Sequence, residues 1–242
     1  ELERIGFVYF VGPDKLLVMA TQYVLQKSFD PKNFKVNYEQ ELNAEQLDVV
    51  THGEGPCLVL AGAGSGKTRT IVYRVAYLIE RGISPDNILL VTFTNKAAKE
   101  MLFRVEELLG SFPKSLWGGT FHHVANVLLR KYARAIGYEP NFTILDEEDS
   151  KDLVSACVKS LNIDPKKIRF PSTGVVRGLI SLSKNTGVPM AELLTETKPE
   201  FMKVMTDLVA VTDQYEARKR RNNAMDFDDL LLKTYQLLTK FP

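Results

Sequence analysis

Cys57-Leu58-Val59-Leu60-Ala61-Gly62-Ala63-Gly64-Ser65-Gly66-Lys67-Thr68 is an apolar run that breaks into a glycine-rich loop, with Lys-Thr opening an amphipathic stretch. This is the sequence form of a phosphate-binding loop. Gly62, Gly64 and Gly66 admit backbone dihedrals closed to other residues, so successive N–H groups can turn inward around phosphate oxygens. Lys67 is placed to reach the β- and γ-phosphates and Thr68 to ligate Mg²⁺, with the positive end of a helix behind them. Ala61, Ala63 and Ser65 complete the candidate nucleotide loop; Ala61 stands where the general pattern has its first glycine, the one farthest from the phosphates. The bland alternative is a glycine-rich turn with no ligand.

The flanks have the order that such a loop requires. Cys57 to Leu60 reads as a buried parallel strand, with Cys57 a small core thiol. Ile71, Val72, Val75, Leu78 and Ile79 recur at helical spacing up to a stop at Gly82. Ser84-Pro85-Asp86-Asn87 is a turn and Ile88 to Val91 a second strand, giving a βαβ unit with parallel strands. A helix over about 95–109 follows, with Ala98, Met101, Leu102, Val105 and Leu109 on one face and Gly110 as its stop. Ser115 to Phe121 reads as a third strand.

After His122 the periodicity is helical: Val124 to Ile136, about Glu147 to Leu161, and Glu200 to Ala217. Asp226 and Asp229 form an N-cap and third helical position for a last amphipathic helix carrying Leu230, Leu231, Tyr235, Leu237 and Leu238. Upstream, residues 1–37 hold an apolar stretch, Ile5 to Val11, and a helix-like run, Lys15 to Gln26, ended by Asp30-Pro31; they show no readable chemistry.

Composition sets bounds and suggests little. The 242 residues carry 31 basic and 30 acidic side chains, so any nucleic-acid surface must come from local placement. Two cysteines, Cys57 and Cys157, are too few for a disulfide framework and fit a reducing compartment. No apolar run approaches the roughly 18 residues of a membrane span, and the Glu1-Leu2-Glu3 start lacks a basic leader region. A cytoplasmic protein with no membrane contact is the expectation.

Four further segments carry a resemblance. They are Leu42-Asn43-Ala44-Glu45-Gln46, Thr92-Phe93-Thr94-Asn95-Lys96-Ala97-Ala98, Gly119-Thr120-Phe121-His122 and Met225-Asp226-Phe227-Asp228-Asp229-Leu230-Leu231. In this order around the loop they resemble the first part of a superfamily 1A DNA helicase of the UvrD/Rep/PcrA type, from about Tyr38 to Pro242. The resemblance implies an α/β fold: a P-loop NTPase (RecA-like) parallel sheet with an inserted, mostly helical subdomain. It divides the chain into an N-terminal extension of unknown role (1–37), the first part of subdomain 1A (38–123), an inserted subdomain 1B (124–224), and a return to 1A (225–242).

The same resemblance assigns roles. Gln46 reads adenine through its amide, implying ATP over GTP, and Arg69 lies near the nucleotide; on the residues alone both also read as surface helix positions. Phe93, Thr94, Asn95 and Lys96, with Thr120, Phe121 and His122, are implied to hold single-stranded DNA. Phe93 is the stacking surface, where an aromatic at the carboxyl end of a parallel strand meets ligands; the alternative is that it is core. His122 and His123 have no Cys or acidic partner at zinc-ligand spacing. Arg218-Lys219-Arg220-Arg221, the densest basic cluster, reads as a solvated helix end or as a phosphate contact.

Hydrolysis needs a carboxylate at a neighbouring strand end. Phe142-Thr143-Ile144-Leu145-Asp146-Glu147 has that form, but Asp146 with Asp149 three residues on reads as a helix cap. The acidic strand of the family is expected after Pro242. The chain is thus expected to be a monomeric N-terminal piece of an ATP- and Mg²⁺-dependent 3′-to-5′ helicase or translocase, acting on single-stranded DNA and single/double-strand junctions and not competent alone for unwinding. Two rivals stand beside it: a DNA-binding subunit of a helicase–nuclease or recombination complex, and a self-sufficient phosphotransferase using Asp146 and Glu147.

Overall fold

The structure, a computed structural model, describes residues 6–7, 34–52, 55–164 and 169–241. Gly6–Phe7 forms β1, the described part of the apolar stretch from Ile5 to Val11; the rest of that stretch and the run from Lys15 to Gln26 lie outside the described residues. The chain divides into two units, 1–124 and 125–242.

In the first unit, short helix α1 (Tyr38–Glu41) and α2 (Ala44–His52) precede α3 (Lys67–Glu80). Gly82 at φ +87° closes α3, its N–H bonding Ile79 while the Ile83 N–H reaches Leu78, the paired bonds of a glycine-stopped helix. A 3-10 turn at Pro85–Asn87 leads into β2 (Ile88–Thr92), α4 (Asn95–Leu109) and β3 (Trp117–Thr120). Thr94 caps α4 by accepting the Ala97 N–H, and Gly110 in the left-handed region ends it.

β2 is the middle strand of a parallel sheet in the order β1-β2-β3, with Gly6 opposite Ile88 and Thr92 opposite Thr120. Val72, Val75 and Ala76 of α3 meet Ile88 and Leu90 of β2 and Met101, Val105 and Leu109 of α4 in one core. Each such buried aliphatic side chain stabilises by about 1.5–3 kcal/mol. A second cluster joins Tyr38, Leu42 and Val50 to Tyr73 and Tyr77 on the other side of α3. Gly118 lets Leu102 close on the sheet, since a Cβ there would fall 2.5 Å from Leu102 Cδ2 and the leucine would have to shift.

The expected strand from Cys57 to Leu60 is not formed. Among the described residues they have no ladder partner; Cys57 is exposed, and Leu58 and Leu60 are 51% and 88% exposed. A strand exists only through a neighbour's hydrogen bonds. β2, the neighbour anticipated for it, is bonded on both edges by β1 and β3. The βαβ unit that forms is therefore β2–α4–β3, one step later in the chain.

Helix α5 (Phe121–Lys131) leads into the second unit, which is mostly helical. It continues with β4 (Thr143–Ile144), α6 (Glu147–Ser160), α7 (Thr173–Thr186), α8 (Met190–Thr197), α9 (Met205–Arg221), β5 (Ala224–Met225) and α10 (Phe227–Lys240). Helices α6 to α9 share a core that includes Val154, Cys157, Val176, Leu194, Leu208 and Tyr215. A smaller one joins Leu129, Phe142, Met225, Leu230 and Leu237. β4 and β5 pair in parallel, 81 residues apart in register at Thr143 and Ala224. Asp146 and Asp226 each head a reciprocal capping box, with Asp149 and Asp229 as partners.

Candidate nucleotide and nucleic-acid sites

The glycine loop is built as a cradle. Gly64 and Gly66 lie at φ +79° and +83°, and the Ser65 N–H and hydroxyl both bond the Gly62 carbonyl, at 3.4 and 2.9 Å. Gly66 is the N-cap of α3 and no side chain caps that end. The first N–H groups of α3 are thus left to an external acceptor, which is the condition for anion binding at a helix start. Lys67 folds back so that its Nζ donates to the carbonyls of Ala61 and Gly62 at 3.0 and 2.8 Å. Its ammonium is held at the loop mouth, and Thr68 beside it is exposed. Glycine backbone, uncapped helix start, ammonium and hydroxyl fit a triphosphate with Mg²⁺.

Gln46 reaches this loop. Its Nε2 donates to the Ser65 carbonyl at 2.9 Å, and a Cβ on Gly66 would fall 2.6 Å from that nitrogen. Arg69 turns away from the phosphate loop: its Nη2 donates to the Glu41 carbonyl at 2.7 Å and to the Tyr73 hydroxyl at 3.0 Å, and its guanidinium lies 4.8 Å from the Tyr73 ring centre. Tyr73 in turn donates to the Glu41 carboxylate. Burial, then that acceptor, raises the Tyr73 phenol above its ordinary range, so it stays a donor at neutral pH. Glu41 and Tyr73 carry no motif signature, and only their packing around Arg69 marks them.

At the carboxyl ends of β2 and β3, which the register aligns at Thr92 and Thr120, lie Phe93 and Phe121. Their ring centres are 5.5 Å apart at 48°, and Phe93 is 71% exposed. The core alternative for Phe93 is thereby removed. An exposed phenyl ring held by a second ring offers a flat face on which another ring can stack. Asn95 and Lys96 are exposed on the first turn of α4, while Thr94 is engaged in its cap. Thr120 is buried, its Oγ1 accepting the His123 N–H at 3.2 Å. It shapes the start of α5, and His122 beside it is half-buried.

The basic cluster at 218–221 differs from the solvated reading. Arg220 and Arg221 are exposed, but Lys219 is 1% exposed. Its Nζ meets Asp229 Oδ2 at 2.5 Å, Asp226 Oδ2 at 2.6 Å and Glu216 Oε1 at 2.9 Å. Lys184 of α7 meets Asp229 at 2.7 Å and Glu216 at 3.0 Å. Glu216, Asp226 and Asp229 present oxygens within 4.8 Å of one another, a spacing suited to a metal, but two ammonium groups already occupy the space between them and offset two of the three charges. Burial alone would raise the Asp226 carboxyl; Lys219 and Lys184 outweigh it and hold that carboxyl well below the usual range. Burial would lower Lys219, and Asp229, Asp226 and Glu216 push it above the ordinary lysine range. The carboxylates of the Met225–Leu231 segment thus tie α7, α9 and α10 together.

A glycine loop opens an uncapped helix, and an exposed and a half-buried aromatic ring stand at neighbouring parallel strand ends. The chain belongs to the UvrD/REP helicase N-terminal domain family, which it matches over residues 42–242. It is 42% identical over 205 residues to the ATP-dependent DNA helicase PcrA of Staphylococcus epidermidis, covering 84% of this chain and 27% of that protein. The PcrA of Staphylococcus aureus gives the same identity over 205 residues, with 83% and 27% covered. The chain thus spans about a quarter of the length of these relatives. Among the described residues no helix is long and apolar enough to cross a membrane.

Proposed function

We propose that this chain is the ATP-binding, single-strand-contacting first part of a UvrD-like helicase, with a RecA-like nucleotide fold. Lys67 and the α3 N–H groups hold the phosphates, Thr68 ligates Mg²⁺, and Gln46 meets the adenine. Phe93 and Phe121 stack on bases, with Asn95 and Lys96 beside them for phosphates. Bound ATP–Mg²⁺ supplies the free energy of a phosphoryl bond; the chain's own residues bind, orient and neutralise it. Arg69 acts behind this site, fixing α1 against α3 through Glu41. In the whole protein the activity is ATP-driven 3′-to-5′ movement on single-stranded DNA, reaching unwinding at junctions, in the reducing compartment that holds the DNA.

The observation that carries this reading is the exposed Phe93 ring, 5.5 Å from Phe121. Phe93 holds its ring open at the end of β2, 71% exposed, and such a ring accepts every base alike, as a translocating motor requires. The 242 residues alone are proposed to bind nucleotide without unwinding. β2 and β3 run into Thr92-Phe93-Thr94 and Thr120-Phe121-His122, which hold no carboxylate to orient water, and Asp146 is engaged in its cap. That engagement also weighs against the phosphotransferase alternative.

Two substitutions separate the functions. In the intact protein Lys67→Ala abolishes DNA-stimulated ATP hydrolysis, and turnover that persists at the normal rate ends the phosphate role. In this chain Phe93→Ala weakens binding to an oligothymidylate by about 1–3 kcal/mol, the weight of one stacked base. Fluorescence anisotropy reads it, and an unchanged single-strand affinity removes the stacking assignment.

A further inference from the structure

We propose that Asn43 is a positioning residue for base selection: its side chain caps α2 and so aims its own backbone N–H at Gln46 Oε1, which locks the Gln46 amide in the orientation that pairs with an adenine edge and opposes a guanine one. The inference rests on Gln46 as the base-contacting residue and accounts for that residue's selectivity.

Asn43 directly precedes α2, and Gln46 is the third residue of that helix. Asn43 Oδ1 accepts the Gln46 N–H at 2.8 Å, and Gln46 Oε1 accepts the Asn43 N–H at 3.3 Å. This is a reciprocal capping box in which the amide that closes the box is also the amide that faces the nucleotide loop. The other end of the same amide donates from Nε2 to the Ser65 carbonyl at 2.9 Å. Each end therefore has a partner of opposite polarity. A half-turn of the amide would set Nε2 against the Asn43 N–H and Oε1 against the Ser65 carbonyl, donor facing donor and acceptor facing acceptor. Such mismatches leave two polar groups without partners, so the flip is disfavoured at both ends.

A side-chain amide oxygen accepts two bonds and its nitrogen donates two. With one of each engaged, an acceptor and a donor remain in fixed order on the outer edge. Adenine offers an amino donor beside an acceptor nitrogen, which matches that order. Guanine offers two acceptors there, so the locked Oε1 faces a carbonyl oxygen. A free amide could rotate to donate to guanine and would discriminate less. Gly66 belongs to the same arrangement: its missing side chain admits Gln46 Nε2 to a point 2.6 Å from where a Cβ would lie.

The test is competition of ATP and GTP, with Mg²⁺, against a fluorescent ATP analogue on this chain. Gln46→Ala removes most of the preference for ATP. Asn43→Ala keeps the backbone N–H but removes the cap bond that aims it at Gln46 Oε1, and it reduces the ATP/GTP affinity ratio by about fivefold, the weight of one neutral hydrogen bond, through weaker ATP and relatively stronger GTP binding. Asn43→Asp, which keeps an acceptor at the N-cap, restores the ratio, and Asn43→Ala adds nothing to the ratio in a Gln46→Ala background. A capping residue of structural effect alone would lower both affinities together, and an unchanged ratio in Asn43→Ala, or no rescue by Asn43→Asp, overturns the proposal. If Gln46→Ala itself keeps the full preference, the base-contact reading fails and this inference with it; if only the Asn43 variants are silent, the inference alone falls.

Discussion

Replacing Lys219 by methionine removes a charge from the interior of the second unit while leaving most of its volume in place. In the native network the Lys219 and Lys184 ammonium groups face Glu216, Asp226 and Asp229, with Lys219 at 2.5–2.9 Å from all three. The variant leaves Lys184 alone against them. Glu216 is 39% exposed at its side chain and turns to water at little cost, so the penalty falls on Asp226 and Asp229, 4% and 3% exposed. Stripping one partner from a buried ion pair costs about 3–5 kcal/mol, because the remaining charge is desolvated without compensation. The local opening of α9 and α10 then becomes roughly 100- to 3,000-fold more frequent. Amide hydrogen exchange over these helices measures it.

The pH dependence follows from the same charges. Asp226 has a folded-state carboxyl held below its ordinary value, so its contribution is present above about pH 4 and is lost as pH falls through the lower folded value. In Lys219→Met that depression is largely relieved, so wild type and variant converge in strongly acidic solution. A loss of protection under about fivefold at neutral pH, or a gap that widens on acidification, would refute the network as the element holding α7, α9 and α10 together.

Two further perturbations address the loop and the rival reading. Gly66→Ala places a Cβ at φ +83° and 2.6 Å from Gln46 Nε2. It is expected to cost about 1 kcal/mol of stability and to abolish ATP binding by titration, whereas Gly62→Ala, with nothing within 4 Å of its Cβ, leaves thermal stability unchanged. Asp146→Ala removes an acceptor that holds the Glu148 and Asp149 N–H groups at 2.8 Å. It is expected to destabilise α6 by about 1 kcal/mol with nucleotide affinity intact; a specific loss of nucleotide turnover would instead favour the phosphotransferase.

Much of the local structure was legible. The helix over 95–109, with Gly110 as its stop, and the caps at Asp146 and Asp226 all depend on residues three or four apart, and the structure forms each of them. Asn43-x-x-Gln46 carries the same capping signature, and it sits inside a segment whose resemblance points to base contact, so one residue serves two readings. Helices α7 and α8 lack a side-chain cap at their starts and so have no local start signal of that kind. Cys57 to Leu60 shows the opposite failure, for an apolar run announces burial but does not name the strand edge that must accept it. Lys219 could not be distinguished from its arginine neighbours, since its burial depends on carboxylates from α10 and a lysine from α7.

The sequence by itself determined the glycine loop, the phase and limits of the main helices, and the family, because each is encoded by residue type at short spacing or by motifs in fixed order. Only the tertiary structure decided that β2 is bonded by β1 and β3, that Phe93 stays in solvent beside Phe121, and that Lys219 is interior. Strand pairing, solvent exposure and charge burial are set by groups distant along the chain. Their energies depend on which partner arrives, and no local pattern records that.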